Sequence, residues 1–148
     1  MEMRPNWIEY FLAIAKVVSS RGTCARRKVG CVFVDANKNI IATGYNGVAK
    51  GEPHCISSPC SGSNSPSGEN LDNCGAVHAE QNAIARCSNV FSIDIAYLTV
   101  SPCINCVKLL LGTNCKEIVF SEQYPHDASR ALWEKAGRIW THYKGHMT

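Results

Sequence analysis

Four side chains in two short segments of this sequence could together perform metal-assisted acid–base chemistry. His78 and Glu80 are two residues apart, and Cys103 and Cys106 follow Pro102 as a Cys-x-x-Cys pair. One imidazole and two thiolates form a nitrogen-and-sulfur set that suits Zn²⁺, and three protein ligands leave one tetrahedral position open for water. Glu80 is not needed as a ligand, so we expect it to move protons to and from that water.

A closed structural zinc site is the alternative interpretation of the same residues, because a His and a Cys-x-x-Cys pair also occur in zinc knots. Glu80 would then be an ordinary solvated helix residue, and Pro102 would have no role. Pro102 is well suited to begin a helix, which would place Cys103 and Cys106 on one face of the first turn. The positive end of the helix dipole favours thiolates there. We therefore predict an open zinc site.

The composition predicts one compact domain over residues 1–148. The chain has 148 residues, of which 45% are hydrophobic, and this is enough for a core. No apolar run is long enough to span a bilayer, and residues 1–5 lack the apolar centre of a signal peptide, so we expect a cytoplasmic protein. Nine cysteines in such a chain indicate metal binding rather than disulfides. Three lie in strand or helix patterns and are expected in the core: Cys31, Cys87 and Cys115.

The order of helix and strand patterns predicts the fold class. Asn6 can cap a first helix, and strands over 29–35 and 40–45 form a hairpin. Helices are then predicted over 76–87 (with His78 and Glu80 in its first turns), 103–111 and 127–136, and strands over 94–100, 117–121 and 138–143. This order predicts a three-layer α/β/α fold. Its five-stranded mixed sheet would be largely parallel at its centre, with helices on both faces.

A long stretch over 46–75 is rich in Gly, Ser, Pro and Asn, and a structureless loop of that length is unusual without a function or an internal tie. Its cysteines, with one before the first strand, could close a second, structural tetrahedral zinc site. Reduced surface cysteines on a flexible loop are the alternative. The candidate ligands are Cys24, Cys55, Cys60 and Cys74, with His54 as a substitute for one of them.

Over nearly its full length the sequence resembles the deoxycytidylate (dCMP) deaminases of the cytidine-deaminase superfamily. The matching stretches are residues 24–30, 43–47, 78–84, 101–106 and 124–127. The His-x-Glu and Pro-Cys-x-x-Cys pieces are shared by zinc nucleobase deaminases in general. Gly-Tyr-Asn-Gly at 44–47 and the extra cysteines favour the deoxycytidylate branch, and a small cytidine deaminase would usually have Cys in place of His78.

The resemblance implies a cytidine deaminase-like fold and hydrolysis of dCMP to dUMP and ammonia, which supplies dUMP for thymidylate synthesis. Zinc-bound water, deprotonated by Glu80, would attack C4 of cytosine. Glu80 would then protonate N3 and the departing amine. Zinc lowers the pKa of its bound water toward about 7, so hydroxide is available at neutral pH.

The resemblance also implies substrate contacts. Asn46 would contact the deoxyribose, Tyr124 would close over the nucleotide, and the backbone at Ala79 and Ser101 would contact the base. Asn46 could instead be a turn residue and Tyr124 a plain core or surface residue. A basic side chain would bind the phosphate, although such residues near turns are often only solvated. The candidates are Arg26, with Arg27 and Lys28 as rivals.

Regulation and assembly are further implications of the resemblance. The family commonly forms homohexamers and responds to dCTP, which activates with Mg²⁺, and to dTTP, which inhibits. The segment that matches the effector region consists of Gly44, Tyr45, Asn46 and Gly47.

Other functions remain as alternatives. A tRNA adenosine deaminase would use the same zinc chemistry, but the formal charge of +3 falls to +1 if a Cys₄ zinc site of charge −2 is present. A net charge of +1 is too small to favour nucleic-acid binding, but it is sufficient for binding one nucleotide phosphate. Riboflavin-pathway and guanine deaminases do not need the segment that carries Arg26. A zinc-stabilised nucleotide-binding module without catalysis would have little reason to keep Glu80.

Overall fold

The computed structural model describes residues 4–23, 27–48, 76–125 and 127–145. Within these ranges, no helix is both long enough and apolar enough to cross a membrane. Several residues of the predicted sites lie outside the described ranges, namely Cys24, Arg26, His54, Cys55, Cys60 and Cys74.

The described part of the chain contains four α-helices, seven strands and a 3₁₀ turn at Val90–Ser92. The helices are α1 (Trp7–Ser19), α2 (Ala79–Arg86), α3 (Ile104–Leu111) and α4 (Ala128–Lys135). The strands are β1 (Gly30–Val34), β2 (Ile40–Tyr45), β3 (Gly47–Val48), β4 (Ala76–Val77), β5 (Ile95–Val100), β6 (Glu117–Glu122) and β7 (Ile139–His142).

Five of these strands form one mixed sheet in the order β2-β1-β5-β6-β7. β1 pairs antiparallel with both β2 and β5, whereas β5–β6 and β6–β7 are parallel pairs. The mixed sheet is confirmed, and its parallel part lies on one side of β5. β3 and β4 form a separate two-stranded sheet in which Gly47 pairs with Val77. This small sheet brings the end of the hairpin next to His78.

Apolar side chains pack on both faces of the five-stranded sheet, which confirms the three-layer arrangement. On one face, α1 contributes Phe11, Leu12 and Ala15, which pack with Val32, Val34, Ile95, Tyr97 and Val119. On the opposite face, the buried residues of the other helices include Ala79, Ala83, Val107, Leu110 and Trp133, which pack with Phe33, Leu98, Ile118 and Phe120. The predicted core positions Cys31 and Cys115 are fully buried on this second face, and half-buried Cys87 packs against it.

One glycine under α2 permits an unusually close helix–sheet contact. A Cβ atom at Gly44 in β2 would overlap the carbonyl oxygen of Ala79 and the amide nitrogen of Ala83. Asn82 adds a tie between the same two elements, because its Nδ2 donates to the carbonyl oxygen of Tyr45 at 2.8 Å. The start of α2 is therefore held directly against the end of β2.

Two predicted boundaries were wrong. Residues 76–77 form β4 rather than the first turn of a helix, so His78 caps α2 instead of lying within it. Pro102 does not begin α3, because Cys103 is the capping residue and Ile104 the first helical one. Within the stretch over 46–75, residues 47–48 form β3. Pairing between β3 and β4 explains the first difference.

Candidate functional site

Two helix N-termini carry the predicted metal ligands. His78 is the N-cap of α2, and its backbone N–H donates to Oε1 of Gln81 at 2.9 Å. Cys103 is the N-cap of α3, and Cys106 lies in the first turn of that helix. Cysteines at the N-cap and at the third helical position lie on the same side of the turn, so both sulfurs face the imidazole.

Among the described residues, these three form a group whose donor atoms all lie within 4.8 Å of one another. Nδ1 of His78 is 3.3 Å from Sγ of Cys106 and 3.5 Å from Sγ of Cys103. Zn–N bonds of about 2.0–2.1 Å and Zn–S bonds of about 2.3 Å require tetrahedral edges of about 3.5–3.8 Å. The donor types and their spacing therefore fit Zn²⁺.

The two thiols are coupled ionisable groups. A hydrogen bond from Cys106, followed by one from His78, lowers the pKa of Cys103 to about 4. The same pairing with Cys103, together with burial, raises the pKa of Cys106 above the usual range of a thiol. A divalent cation in contact with both sulfurs would favour both thiolates.

Glu80 is a buried carboxyl beside this group. It lies in the first turn of α2 and only 4% of its surface is exposed. Burial raises the pKa of Glu80 to about 7, while its interactions with backbone N–H, with His78 and with the Cys106 thiol act in the opposite direction. A carboxyl with such a pKa can both accept and release a proton near neutral pH.

Three of the expected substrate residues lie in segments that adjoin the metal-ligand residues or contact those segments. Ala79 is the buried first residue of α2, and Ser101 is buried two residues before Cys103. Oγ of Ser101 accepts a hydrogen bond from the backbone N–H of Tyr124 at 2.6 Å, and its N–H donates to the carbonyl oxygen of Glu122 at 2.9 Å. The segment after β6 is thereby tied to the segment that leads into α3.

Asn46 is buried, and backbone groups use both ends of its side-chain amide. Its Nδ2 donates to the carbonyl oxygen of Arg27 at 2.6 Å, and its Oδ1 accepts from the N–H of Val29 at 2.7 Å. Asn46 therefore holds the segment before β1, whatever contact it also makes with a ligand.

The basic candidates for the phosphate differ in their surroundings. The side chain of Arg27 is 31% exposed and pairs with Glu122, with 3.2 Å between Nη2 and Oε1. Nη1 of Arg27 is buried and has no hydrogen-bond partner among the described residues. Lys28 is exposed. Of the two described candidates, Arg27 is therefore the one with a buried N–H group that lacks an acceptor among the described residues.

The predicted effector segment, residues 44–47, makes contacts that stabilise this fold. Gly44 lies under α2, and Gly47 pairs with Val77. The ring of Tyr45 lies 5.4 Å from the guanidinium of Arg86 at the end of α2. These contacts connect the segment to α2 and to β4, the strand directly before His78.

Sequence reasoning did not find two residues that shape the site. Gln81 could have been found, because a Gln three residues after a helix N-cap is a local capping signal. Glu122 could not, because it is 95 residues from its partner Arg27 and only the fold brings them together.

Comparisons with known proteins agree with the fold and the metal-ligand group. The family model described as the cytidine and deoxycytidylate deaminase zinc-binding region matches residues 5–122. The deoxycytidylate deaminase of Schizosaccharomyces pombe is 37% identical over 139 residues, which cover 90% of this chain and 43% of the relative. That of Mycobacterium phage D29 is 35% identical over 126 residues, which cover 81% of this chain and 98% of the relative.

A crystal structure of dCMP deaminase from the cyanophage S-TIM5, in complex with dCMP and dUMP, superimposes with a TM-score of 0.74 at 26% identity. The match covers 96% of this chain and 100% of that chain. The chain spans about two fifths of the length of the yeast relatives that it matches.

The mixed sheet with a His/Cys/Cys group at two helix N-termini defines the class as a zinc-binding deaminase fold. This chain belongs to the cytidine and deoxycytidylate deaminase family.

Proposed function

We propose that this chain catalyses the hydrolytic deamination of dCMP to dUMP and ammonia, and so supplies dUMP for thymidylate synthesis. The observation that carries the proposal is the buried carboxyl of Glu80 beside the three-donor group. A closed structural zinc site would not need a buried acid there. Relatives named deoxycytidylate deaminases, one of them matched over nearly its whole length, support dCMP as the substrate.

The protein groups of the mechanism follow from the site. Nδ1 of His78 and Sγ of Cys103 and Cys106 would hold Zn²⁺, which when bound supplies a water activated for attack at neutral pH. Glu80 accepts a proton from the water as a C–O bond forms at C4 of cytosine. The same carboxyl passes that proton to N3, then takes the second proton from the new hydroxyl group at C4 and passes it to the amino group. The C4–N bond breaks as the C4=O bond forms, and ammonia leaves. A pKa of about 7 suits Glu80 to both tasks.

Substrate recognition is assigned to the residues around this group. The backbone at Ala79 and Ser101 would contact the base, Asn46 the deoxyribose, and Tyr124 would close over the nucleotide. Arg26 or Arg27 would bind the phosphate, and the buried, unpartnered Nη1 of Arg27 favours Arg27 within the described residues.

Deamination of four compounds by the zinc-loaded protein tests the proposal: dCMP, deoxycytidine, dCTP and a transfer-RNA stem-loop. We expect turnover of dCMP, and a loss of about 10²- to 10⁴-fold in Glu80→Gln, because removal of a general acid–base group costs that much. Glu134→Gln, an exposed carboxylate on α4, is the control and should remain active. Turnover of the RNA alone would show that the substrate is RNA rather than dCMP. Turnover of none of the four compounds would favour a nucleotide-binding module without catalysis.

We also propose that dCTP with Mg²⁺ activates the enzyme and that dTTP inhibits it, through the segment Gly44, Tyr45, Asn46 and Gly47. This segment contacts α2, the helix that carries Glu80, so an effector bound to the segment could change the position of Glu80. Steady-state dCMP turnover with each nucleotide added tests this regulation, and a flat response would refute it.

A second, structural Zn²⁺ on Cys24, Cys55, Cys60 and Cys74 (or His54) remains a proposal from the sequence. Two zinc ions per chain are expected in the wild type, and Cys60→Ser should lower the content toward one while the first site stays loaded. A wild-type content of one zinc per chain would refute it.

We further propose a homohexamer of single catalytic domains over residues 1–148, active in the cytoplasm. A reducing compartment suits a site built from free thiols. Light scattering after size-exclusion chromatography measures the assembly, and a monomeric mass would refute the hexamer.

A further inference from the structure

We propose that Glu122 is a positioning residue for the nucleotide phosphate, because it orients Arg27 so that the other guanidinium nitrogen can receive the phosphate. This role rests on the proposed dCMP deaminase function. It concerns a side chain that neither the sequence motif nor the metal-ligand group includes.

One nitrogen of the Arg27 guanidinium forms an ion pair, and another has no hydrogen-bond acceptor among the described residues. Nη2 lies 3.2 Å from Oε1 of Glu122, and Nη1 is buried without an acceptor among the described residues. Because a guanidinium is planar and rigid, fixing Nη2 fixes the direction in which Nη1 points. A buried cationic N–H group without an acceptor is unfavourable, and a phosphate oxygen would remove that cost.

The backbone of Arg27 and that of Glu122 are each anchored by a hydrogen bond to a different segment of the site. Asn46 holds the carbonyl oxygen of Arg27 and is followed by Gly47, which pairs with Val77 next to His78. The carbonyl oxygen of Glu122 accepts from the N–H of Ser101, two residues before Cys103. Arg27 and Glu122 are thus each tied to a segment that leads to one of the metal-ligand residues, and the proposed role requires the phosphate end of a bound nucleotide to reach Arg27.

The Glu122 carboxylate orients Arg27, but it also repels a phosphate that binds beside it. The balance of these two effects decides whether Glu122 strengthens or weakens phosphate binding. The side chain of Glu122 is 61% exposed, and water and salt screen its repulsion of a phosphate. Loss of Glu122 would instead release the long Arg27 side chain, which then has to be ordered again when the substrate binds. We therefore expect the ordering of the Arg27 side chain by Glu122 to matter more than the repulsion between Glu122 and the phosphate, so that Glu122 lowers KM for dCMP by a modest factor.

A double-mutant cycle tests the role, with kcat and KM measured for dCMP and for deoxycytidine in Glu122→Gln, Arg27→Gln and the double variant. In Glu122→Gln we expect KM for dCMP to rise about twofold to fivefold at unchanged kcat, as suits an exposed ion pair. Arg27→Gln should raise it about tenfold or more. Kinetics with deoxycytidine should not change in either variant. In the Arg27→Gln background, removal of Glu122 should have no further effect, because Glu122 acts through Arg27.

Glu134→Gln is the matched control, since Glu134 forms an exposed ion pair with Arg130 at 3.1 Å on α4. An unchanged or lower KM for dCMP in Glu122→Gln would overturn the role, and so would an equal loss with deoxycytidine. Independent, additive losses in the double variant would also overturn it. If the wild type does not convert dCMP, the proposed function fails first. If the wild type is active and Glu122→Gln matches it, only the positioning role fails.

Discussion

Cys106 is the most deeply buried of the three proposed zinc ligands, with no exposed surface, whereas Cys103 retains 8%. Its pKa is raised by the hydrogen bond to Cys103 and by burial, so its thiolate has little stability without a positive partner. A zinc ion would supply that charge. Substitution of Cys106 should therefore lower zinc affinity more than substitution of a cysteine outside the zinc-binding group.

Cys106→Ser should lower the bound zinc by about one ion per chain, because a serine oxygen is a poor substitute for a zinc-binding thiolate. dCMP turnover should fall with it by more than about a hundredfold, since loss of even an outer partner of a metal ligand costs about 10- to 100-fold. Elemental analysis and ammonia release measure the two effects. Cys87→Ser, at the end of α2, is the control and should change neither. A fully zinc-loaded Cys106→Ser protein would contradict the assigned ligand set.

At the level of the elements, the contact between β2 and α2 has little tolerance for added volume. In Gly44→Ala the new Cβ atom would overlap the backbone of Ala79 and Ala83, so α2 must move and carry Glu80 with it. We expect a loss of about 1–3 kcal/mol in the free energy of unfolding, as for overpacked cores, together with reduced turnover. Urea unfolding and ammonia release measure these changes.

Gly112→Ala is the control for this substitution, because the nearest atom to its added Cβ is the carbonyl oxygen of Leu109 at 3.3 Å and no second element lies close. It should stay within about 1 kcal/mol of the wild type. Equal stability and activity in the Gly44→Ala and wild-type proteins would show that α2 can shift without consequence for the site.

One arginine satisfies the carbonyl groups at the end of α3. Nη1 of Arg138 lies 2.8–3.2 Å from the carbonyl oxygens of Leu110, Thr113 and Cys115, and Nη2 lies 2.9 Å from that of Leu111. A cation at a helix C-terminus also interacts favourably with the helix dipole. The helix that begins with the two cysteine ligands therefore depends on β7, directly after Arg138, for its other end.

Arg138→Gln should reduce the free energy of unfolding by about 2–3 kcal/mol, because four half-buried carbonyl groups each lose a charged donor. Arg130→Gln removes an arginine that forms only an exposed ion pair and should cost less than about 0.5 kcal/mol. The two midpoints of urea unfolding give the comparison. Similar midpoints would mean that water replaces the guanidinium at these carbonyls.

Local signals explain which elements and site residues the sequence could predict. The hairpin has β-branched strands around an Asn-rich turn, and His78, Cys103 and Cys106 form linear motifs, so both were predicted. The start of α2 was not, because β4 is only two residues long and its pairing with Gly47 spans 30 residues. The pairing of Arg27 with Glu122 was missed for the same reason, since it depends on the finished sheet.

At the level of the whole molecule, the same five strands support both layers of helices. α1 lies on one face of the sheet and the metal-ligand helices α2 and α3 lie on the other. β1 contributes Val32 to the first core and Phe33 to the second, since neighbouring residues of a strand point to opposite faces. Neither layer can lose its packing while the sheet retains all its contacts, so we expect the two faces to unfold together.

Leucines on the two faces test this coupling. Leu12 in α1 is 1% exposed and Leu110 in α3 is fully buried, and each Leu→Ala change should lower the free energy of unfolding by about 2–5 kcal/mol. Because the faces share one sheet, both variants should keep a single transition that coincides by near-ultraviolet and far-ultraviolet circular dichroism, with an unchanged dependence on urea. Leu12→Ala lies on the face away from the metal ligands, so its turnover under folding conditions should stay near that of the wild type. A Leu12→Ala protein that melts in two steps, with dCMP turnover surviving the first, would show that the α1 layer is a separate unit and would refute one cooperative domain.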